Sequence, residues 1–255
     1  MKPPGGGGWD GVASLGALHR AYLLARRGKR SRAEVARFGM ELERELILLH
    51  DELDSGRYVP GPYRIFTIYE RKPRIIAAAP LRDRIVHHAL MQVVEPQLDV
   101  RFIFDSYACR RGKGVHRAVD RYQQWARRYA YALKLDVRRY FESIDHALLK
   151  GMLAGVVAEP RILDLLSLII DHSPTVRNGK GIPIGNLTSQ IFANLYLDGI
   201  DHFVKQSLGV KAYLRYVDDL VLLEDDKDWL SRCRKALSAP KGDRGPKPPT
   251  LPPPK

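Results

Sequence analysis

Three aspartates are the residues best suited to chemistry: Asp218 and Asp219, adjacent between two apolar runs, and Asp136 at the end of another. Carboxylates gathered from strand ends and turns are hard oxygen ligands, and with no His or Cys nearby they favour Mg2+ or Mn2+. Two such ions about 3.5–4 Å apart clamp the attacking and leaving oxygens of an in-line phosphoryl transfer. One would lower the pKa of an attacking 3′-hydroxyl, and the other would stabilise departing pyrophosphate. Local hydrogen bonding alone also selects Asp in turns, so the reading leans on the setting. Leu214, Tyr216, Val217, Leu220, Val221 and Leu222 flank the pair, and acids at the edge of apolar surface repel one another unless a cation compensates them.

The pattern of the chain supplies elements to position these acids. Tyr131–Val137 reads as a strand, with Leu133, Leu135 and Val137 on one face and Ala132, Lys134 and Asp136 on the other. Residues 211–217 and 220–224 read as two strands of a hairpin with Asp218-Asp219 at its tip. Helices are expected over 33–54, with Val35, Phe38, Leu42, Leu46, Leu49 and Leu53 on one face, and from Asp83 until Pro96 stops the chain. Others are expected over 114–129, 146–157, 160–171 and 187–206, and a strand over 63–69 leads into a basic turn. His87-His88 reads as a helix-surface pair, because adjacent helical positions do not face one site.

The 255 residues carry a net charge of +13, and the excess is uneven. Residues 61–150 hold 18 basic and 9 acidic groups, whereas residues 151–239 are close to neutral. A polyanion partner, nucleic acid above all, or a solvated basic face would account for this stretch. Two cysteines, Cys109 and Cys233, make no disulfide framework and no Cys-x-x-Cys pair. The apolar run from Ile162 to Ile170 is too short to cross a bilayer. The start, MKPPGGGGWD, has no hydrophobic signal region. A soluble, cytoplasmic protein without a membrane partner is expected.

The motifs carry a family resemblance. Tyr216-Val217-Asp218-Asp219 resembles the signature hairpin of reverse transcriptases, and Leu135 through His146 (LDVRRYFESIDH) resembles their first catalytic motif. Ile182 through Gln190 (IPIGNLTSQ) is similar to the motif that holds the incoming nucleotide. Lys72-Pro73-Arg74, Pro80 through Arg84, and Ser106 through Gly112 look like the fingers motifs of the group II intron-like lineage. Together they span residues 60–225 in the family's order. Most relatives carry Gln-Gly and Ser-Pro in the nucleotide motif. Here Ile184-Gly185 and Ser189-Gln190 stand instead, a pattern most like the reverse transcriptases of diversity-generating retroelements.

The resemblance implies an α+β right-hand polymerase core, with helical basic fingers and a ferredoxin-like palm sheet. It divides the chain into a flexible N-terminus and helical extension (1–60), fingers (61–130), palm (131–239) and a Pro-rich disordered tail (240–255). It implies RNA-directed DNA synthesis, error-prone at adenines, with two Mg2+ (or Mn2+) ions. Asp136, Asp218 and Asp219 would be catalytic and would bind metal, joined by the backbone carbonyl of Val137. Lys72, Arg74, Arg82, Phe141, Ile184, Gly185, Ser189 and Gln190 would meet the nucleotide, with Phe141 excluding a ribose 2′-hydroxyl. Arg110, Arg111 and Lys113 would grip template. A basic surface cluster and a core aromatic are the plain readings of the same residues. The implied partners are template RNA, primer and cDNA, deoxynucleoside triphosphates and a small basic accessory protein.

The family continues past the hairpin into a helical thumb. Here a short basic helix to about Ser238 is followed by seven prolines in sixteen residues, which reads as a missing thumb. A non-catalytic, RNA-binding remnant is therefore the competing expectation. Nucleotide cyclases share the metal logic but not the basic motifs.

Overall fold

A computed structural model describes residues 8–69, 73–174 and 177–238. The elements run α1 (Asp10–Ala13), α2 (Leu15–Ala25), α3 (Ala33–Met40), α4 (Leu42–Asp54), β1 (Arg64–Tyr69), β2 (Pro73–Ala78) and α5 (Leu81–Asp99). They continue with α6 (Val115–Ala126), β3 (Tyr131–Asp136), α7 (Tyr140–Ser143), α8 (His146–Ala154) and α9 (Pro160–Asp171). Last come α10 (Leu187–His202), a π-helical turn (Phe203–Ser207), β4 (Ala212–Tyr216), β5 (Asp219–Glu224) and α11 (Lys227–Ser238). The chain forms two compact units interleaved in sequence. One takes residues up to Val100 with Phe141–Ala193, the other Arg101–Tyr140 with the residues from Asn194 on. Each unit thus draws on both of the contiguous segments, 61–130 and 131–239, that the resemblance implies.

The first unit is mainly helical. Ser14 caps α2 by accepting the Ala17 N–H, and α2 and α1 pack on α5. Val12, Leu18, Leu49, Ile85, Leu90 and Leu98 are completely buried, each side chain contributing about 1.5–3 kcal/mol by leaving water. The antiparallel ribbon β1–β2 projects with Ile65, Tyr69 and Ile75 largely exposed. The second unit is a three-stranded antiparallel sheet in the order β3-β5-β4. One face rests on Val204, Leu208, Leu230 and Cys233 through Tyr213, Leu220 and Leu222, with Leu133 and Leu135 at its margin. On the other face, Ala212, Leu214 and Leu223 pack on Tyr107, Ala118 and Trp125. The alternation expected for β3 is observed: Leu133 and Leu135 turn inward, while Lys134 and Asp136 stay exposed.

Several expectations are corrected. The single helix over 33–54 is two, broken at Glu41 (φ −114°, ψ 27°). Gly39 lies so close to α2 that a Cβ would come within 2.9 Å of the Tyr22 hydroxyl, and the chain re-aims at Glu41 before Leu46, Leu49 and Leu53 are buried. Pro96 does not stop α5. It removes one backbone bond in the final turns, where buried Val94 and Leu98 keep the helix packed. His87 is not on the surface: it is fully buried in α5, and desolvation pushes its imidazole pKa down to about 3. Helix α10 ends at His202 in a π turn. Asp219 is not at the hairpin tip but begins β5, paired with Tyr216. Helices α1 and α2 form in a stretch for which the sequence predicts no particular element. The Pro-rich tail lies outside the described residues.

Candidate active site

Strand register decides which acids meet. Asp136, the last residue of β3, stands directly opposite Asp219, the first of β5. Directly opposed residues of an antiparallel pair share a face, with Cβ atoms about 4.5–5.5 Å apart. The Val137 N–H donates to the Asp218 carbonyl at 3.2 Å, tying the hairpin tip to the end of β3. Tyr216↔Asp219 closes a turn whose central residues are Val217 and Asp218. Val217 adopts φ +56°.

A cation already sits in the field of these acids. Lys134, two residues before Asp136, places Nζ 2.9 Å from Asp219 Oδ1. The hydrogen bond to Asp219 and that carboxylate's charge hold its pKa up, with further attraction from Asp136 and Asp218. Among the described residues, no group of three or more His, Cys, Asp or Glu side chains is gathered tightly enough to hold a metal alone. Mg2+ commonly takes one or two carboxylates and completes its shell with water and substrate phosphates. The residues present fit such an ion.

Behind the hairpin lies a polar network that the sequence reading missed. Arg215 is completely buried, as is Asp201 on α10. The Arg215 Nε and Nη2 groups donate to both Asp201 oxygens at 2.8–2.9 Å, and Tyr213 donates to Asp201 Oδ1 at 2.6 Å. Nearby attraction from Asp201 keeps Arg215 charged despite its burial, which works against the charge. Alternation could have flagged Arg215, because it shares the inward face of β4 with Tyr213. No local signal marks Asp201.

The expected nucleotide residues fall in the first unit. Ile184 is half-buried, and its carbonyl accepts the Ala77 N–H from β2 at 3.1 Å. Gly185 has φ +115°, and a Cβ there would lie 2.9 Å from Ile76 Cγ2. Both backbone angle and space therefore demand glycine. The Phe141 carbonyl accepts the Ile182 N–H at 2.9 Å, and His146 Nε2 lies 2.8 Å from the Gly181 carbonyl. Ser189 is buried, Gln190 exposed and Phe141 half-buried. Arg74 is exposed on β2, whereas Arg82 pairs with Glu52 and lies over the Tyr58 ring. Lys72 lies outside the described residues.

Of the expected template contacts, Arg111 is exposed. Arg110 donates to the Ile103 and Ser106 carbonyls at 2.7 and 2.9 Å. Lys113 donates to the Phe104 carbonyl at 2.6 Å, its ammonium 3.3 Å from the centre of the Phe104 ring. Both side chains thus brace their own loop.

Comparison with known proteins decides the family. The family model for reverse transcriptase (RNA-dependent DNA polymerase) matches residues 67–245. The chain belongs to the reverse transcriptase family.

Protein YkfC of Escherichia coli K12 is 28% identical over 70% of this chain and 58% of its own length. The group II intron-encoded protein LtrA of Lactococcus lactis subsp. cremoris is 22% identical over 64% of this chain. The chain spans little more than half of the former and 29% of the latter. Among solved structures, a partial Cas6-RT-Cas1--Cas2 complex aligns with 90% of this chain and 42% of its own (TM-score 0.53, 21% identity). Apo telomerase from Candida tropicalis, truncated from its C-terminal domain, aligns with 70% of this chain and 47% of its own (TM-score 0.53, 15% identity). These likenesses establish the mixed helix-and-sheet reverse transcriptase fold. Among the described residues, no helix is long and apolar enough to cross a membrane.

Proposed function

We propose that this reverse transcriptase-family chain is an RNA-directed DNA polymerase, copying template RNA into cDNA from deoxynucleoside triphosphates. The observation that carries the reading is the register that opposes Asp136 to Asp219, with Asp218 in the adjoining turn. Divalent ions, Mg2+ or Mn2+, would supply Lewis-acid activation of the primer hydroxyl and neutralise charge on the departing pyrophosphate. Asp136 and Asp218 would hold them, with the Val137 carbonyl beside Asp136. Asp219, bound by Lys134, would contribute charge and a third carboxylate. In the first unit, Ile184 and Gly185 would line the nucleotide, Arg74 and Arg82 would meet its phosphates as guanidinium forks, and half-buried Phe141 would exclude a 2′-hydroxyl. The basic stretch over 61–150, including exposed Arg111, would track the template backbone.

The finer reading is membership of a diversity-generating retroelement, with a small basic accessory protein as partner. Ile184 supports it, since an apolar side chain offers a mispaired nucleotide no hydrogen bond to lose. Primer extension on an RNA template with Mg2+ tests both levels. Asp218→Ala is expected to lower incorporation by roughly a thousandfold or more, the scale on which metal chemistry acts, and chelation should abolish it. Errors should concentrate opposite adenine and decline in Ile184→Gln. A folded chain that binds RNA but extends no primer would instead establish the non-catalytic remnant.

A further inference from the structure

The turn that presents Asp218 is built on an unfavourable residue. A two-residue hairpin with positive φ at its first central position ordinarily uses glycine there, and Val217 occupies it at φ +56°. A β-branched residue in left-handed backbone persists only where its surroundings over-determine it. The buried guanidinium of Arg215 provides that restraint. Nη1 donates to the Val217 carbonyl at 2.9 Å and to Asn194 Oδ1 at 3.0 Å. Nη2 donates to the Asn194 carbonyl at 3.2 Å and to Asp201, which Nε also grips. Asn194 is fixed in turn through its Nδ2 donation to the Ala108 carbonyl at 2.7 Å. All five N–H donors of an arginine are thereby used. Neutralising the buried charge requires only the fork to Asp201; the bond to the Val217 carbonyl serves the turn.

We propose that Arg215, locked by Asp201 and Asn194, is a positioning residue that clamps the strained Val217 turn and so aims the Asp218 carboxylate at the metal. The inference rests on the reading of Asp218 as a metal-holding residue. Lysine keeps the charge but not the planar fork, so one ammonium cannot serve Asp201, Asn194 and the Val217 carbonyl together.

The experiment compares the whole chain with Arg215→Lys and with Arg215→Lys/Val217→Gly. It measures Mn2+ binding by calorimetry, thermal midpoint, and single-nucleotide incorporation. Arg215→Lys is expected to weaken Mn2+ at least tenfold and to lower kcat at least tenfold, with KM for the nucleotide within twofold. Adding Val217→Gly, which adopts the turn unaided, should return Mn2+ affinity to within threefold of the parent chain. Unchanged Mn2+ affinity and kcat in folded Arg215→Lys would overturn the proposal. So would losses that follow the thermal midpoint and are not recovered by Val217→Gly. Should Arg215→Lys not fold, Arg215→Gln/Asp201→Asn removes both buried charges together and is read the same way. The expected Mn2+ pattern in a chain without primer extension would leave the positioning role standing and sink the polymerase reading. A parent chain that binds no Mn2+ at millimolar concentration would sink both.

Discussion

Gly185 and Val217 both stand in left-handed backbone, at φ +115° and +56°, one in the loop ahead of α10 and the other at the tip of the β4–β5 hairpin. Gly185 adopts this angle without steric cost, and its loop is held by ordinary backbone bonds such as Ala77 N–H to the Ile184 carbonyl. Val217 does not, and its turn is backed by the most deeply buried arginine of the described chain and a fully buried aspartate. A permissive residue makes a loop self-sufficient, whereas a restrictive one makes it depend on a partner distant in sequence. The second arrangement ties the geometry of Asp218 to the packing of α10 against β4.

Three perturbations probe that contrast. The largest effect is expected from Asp201→Asn, which leaves Arg215 as a buried charge without its counterion. Breaking such a pair from one side costs about 3–5 kcal/mol, and a chemical denaturation midpoint would report it; a change below about 1 kcal/mol would place the support of the hairpin elsewhere. Gly185→Ala should cost less, about 1–3 kcal/mol for a strained backbone angle together with the close approach of Ile76. Ile76→Val in the same chain should recover the steric part only, which a double-mutant cycle would resolve.

The smallest effect concerns His87, a buried polar group that belongs to neither turn. Its folded pKa of about 3 lies below the unfolded value near 6.5. Below pH 6.5 the unfolded chain binds a proton that the folded chain refuses, so stability falls as pH drops from about 6.5 towards 3. The slope attributable to His87 is about 1.4 kcal/mol per pH unit within that window. Denaturation of the parent chain and His87→Met at pH 7.5 and 5.5 should show the parent losing about 1.4 kcal/mol more. Equal losses would refute it, and the two turns should respond alike in both chains.

Much of this was legible because it is local. The alternation of Leu133, Leu135 and Val137 against Lys134 and Asp136 follows from the two-residue period of a strand, and α9 shows its apolar stripe and its Pro160 start openly. The break at Glu41 was not legible, since the apolar stripe from Val35 to Leu53 continues across it and no Pro or Gly stands at that position. Pro96 misled because its local preference was outweighed by the burial of Val94 and Leu98. Arg110 and Lys113, template contacts by resemblance, also bond to carbonyls of their own loop, a pairing that no local pattern announces.

What the sequence by itself determined was the family and the elements that carry its motifs: acids at the edge of apolar strands, and apolar periods of two and 3.6. Tertiary structure decided the rest. Register placed Asp136 opposite Asp219 rather than Asp218, and packing buried Arg215 against Asp201, fourteen residues away on another element. The physical reason is that periodicity reports which face a residue takes, while the pairing of two buried charges is set by how those faces meet.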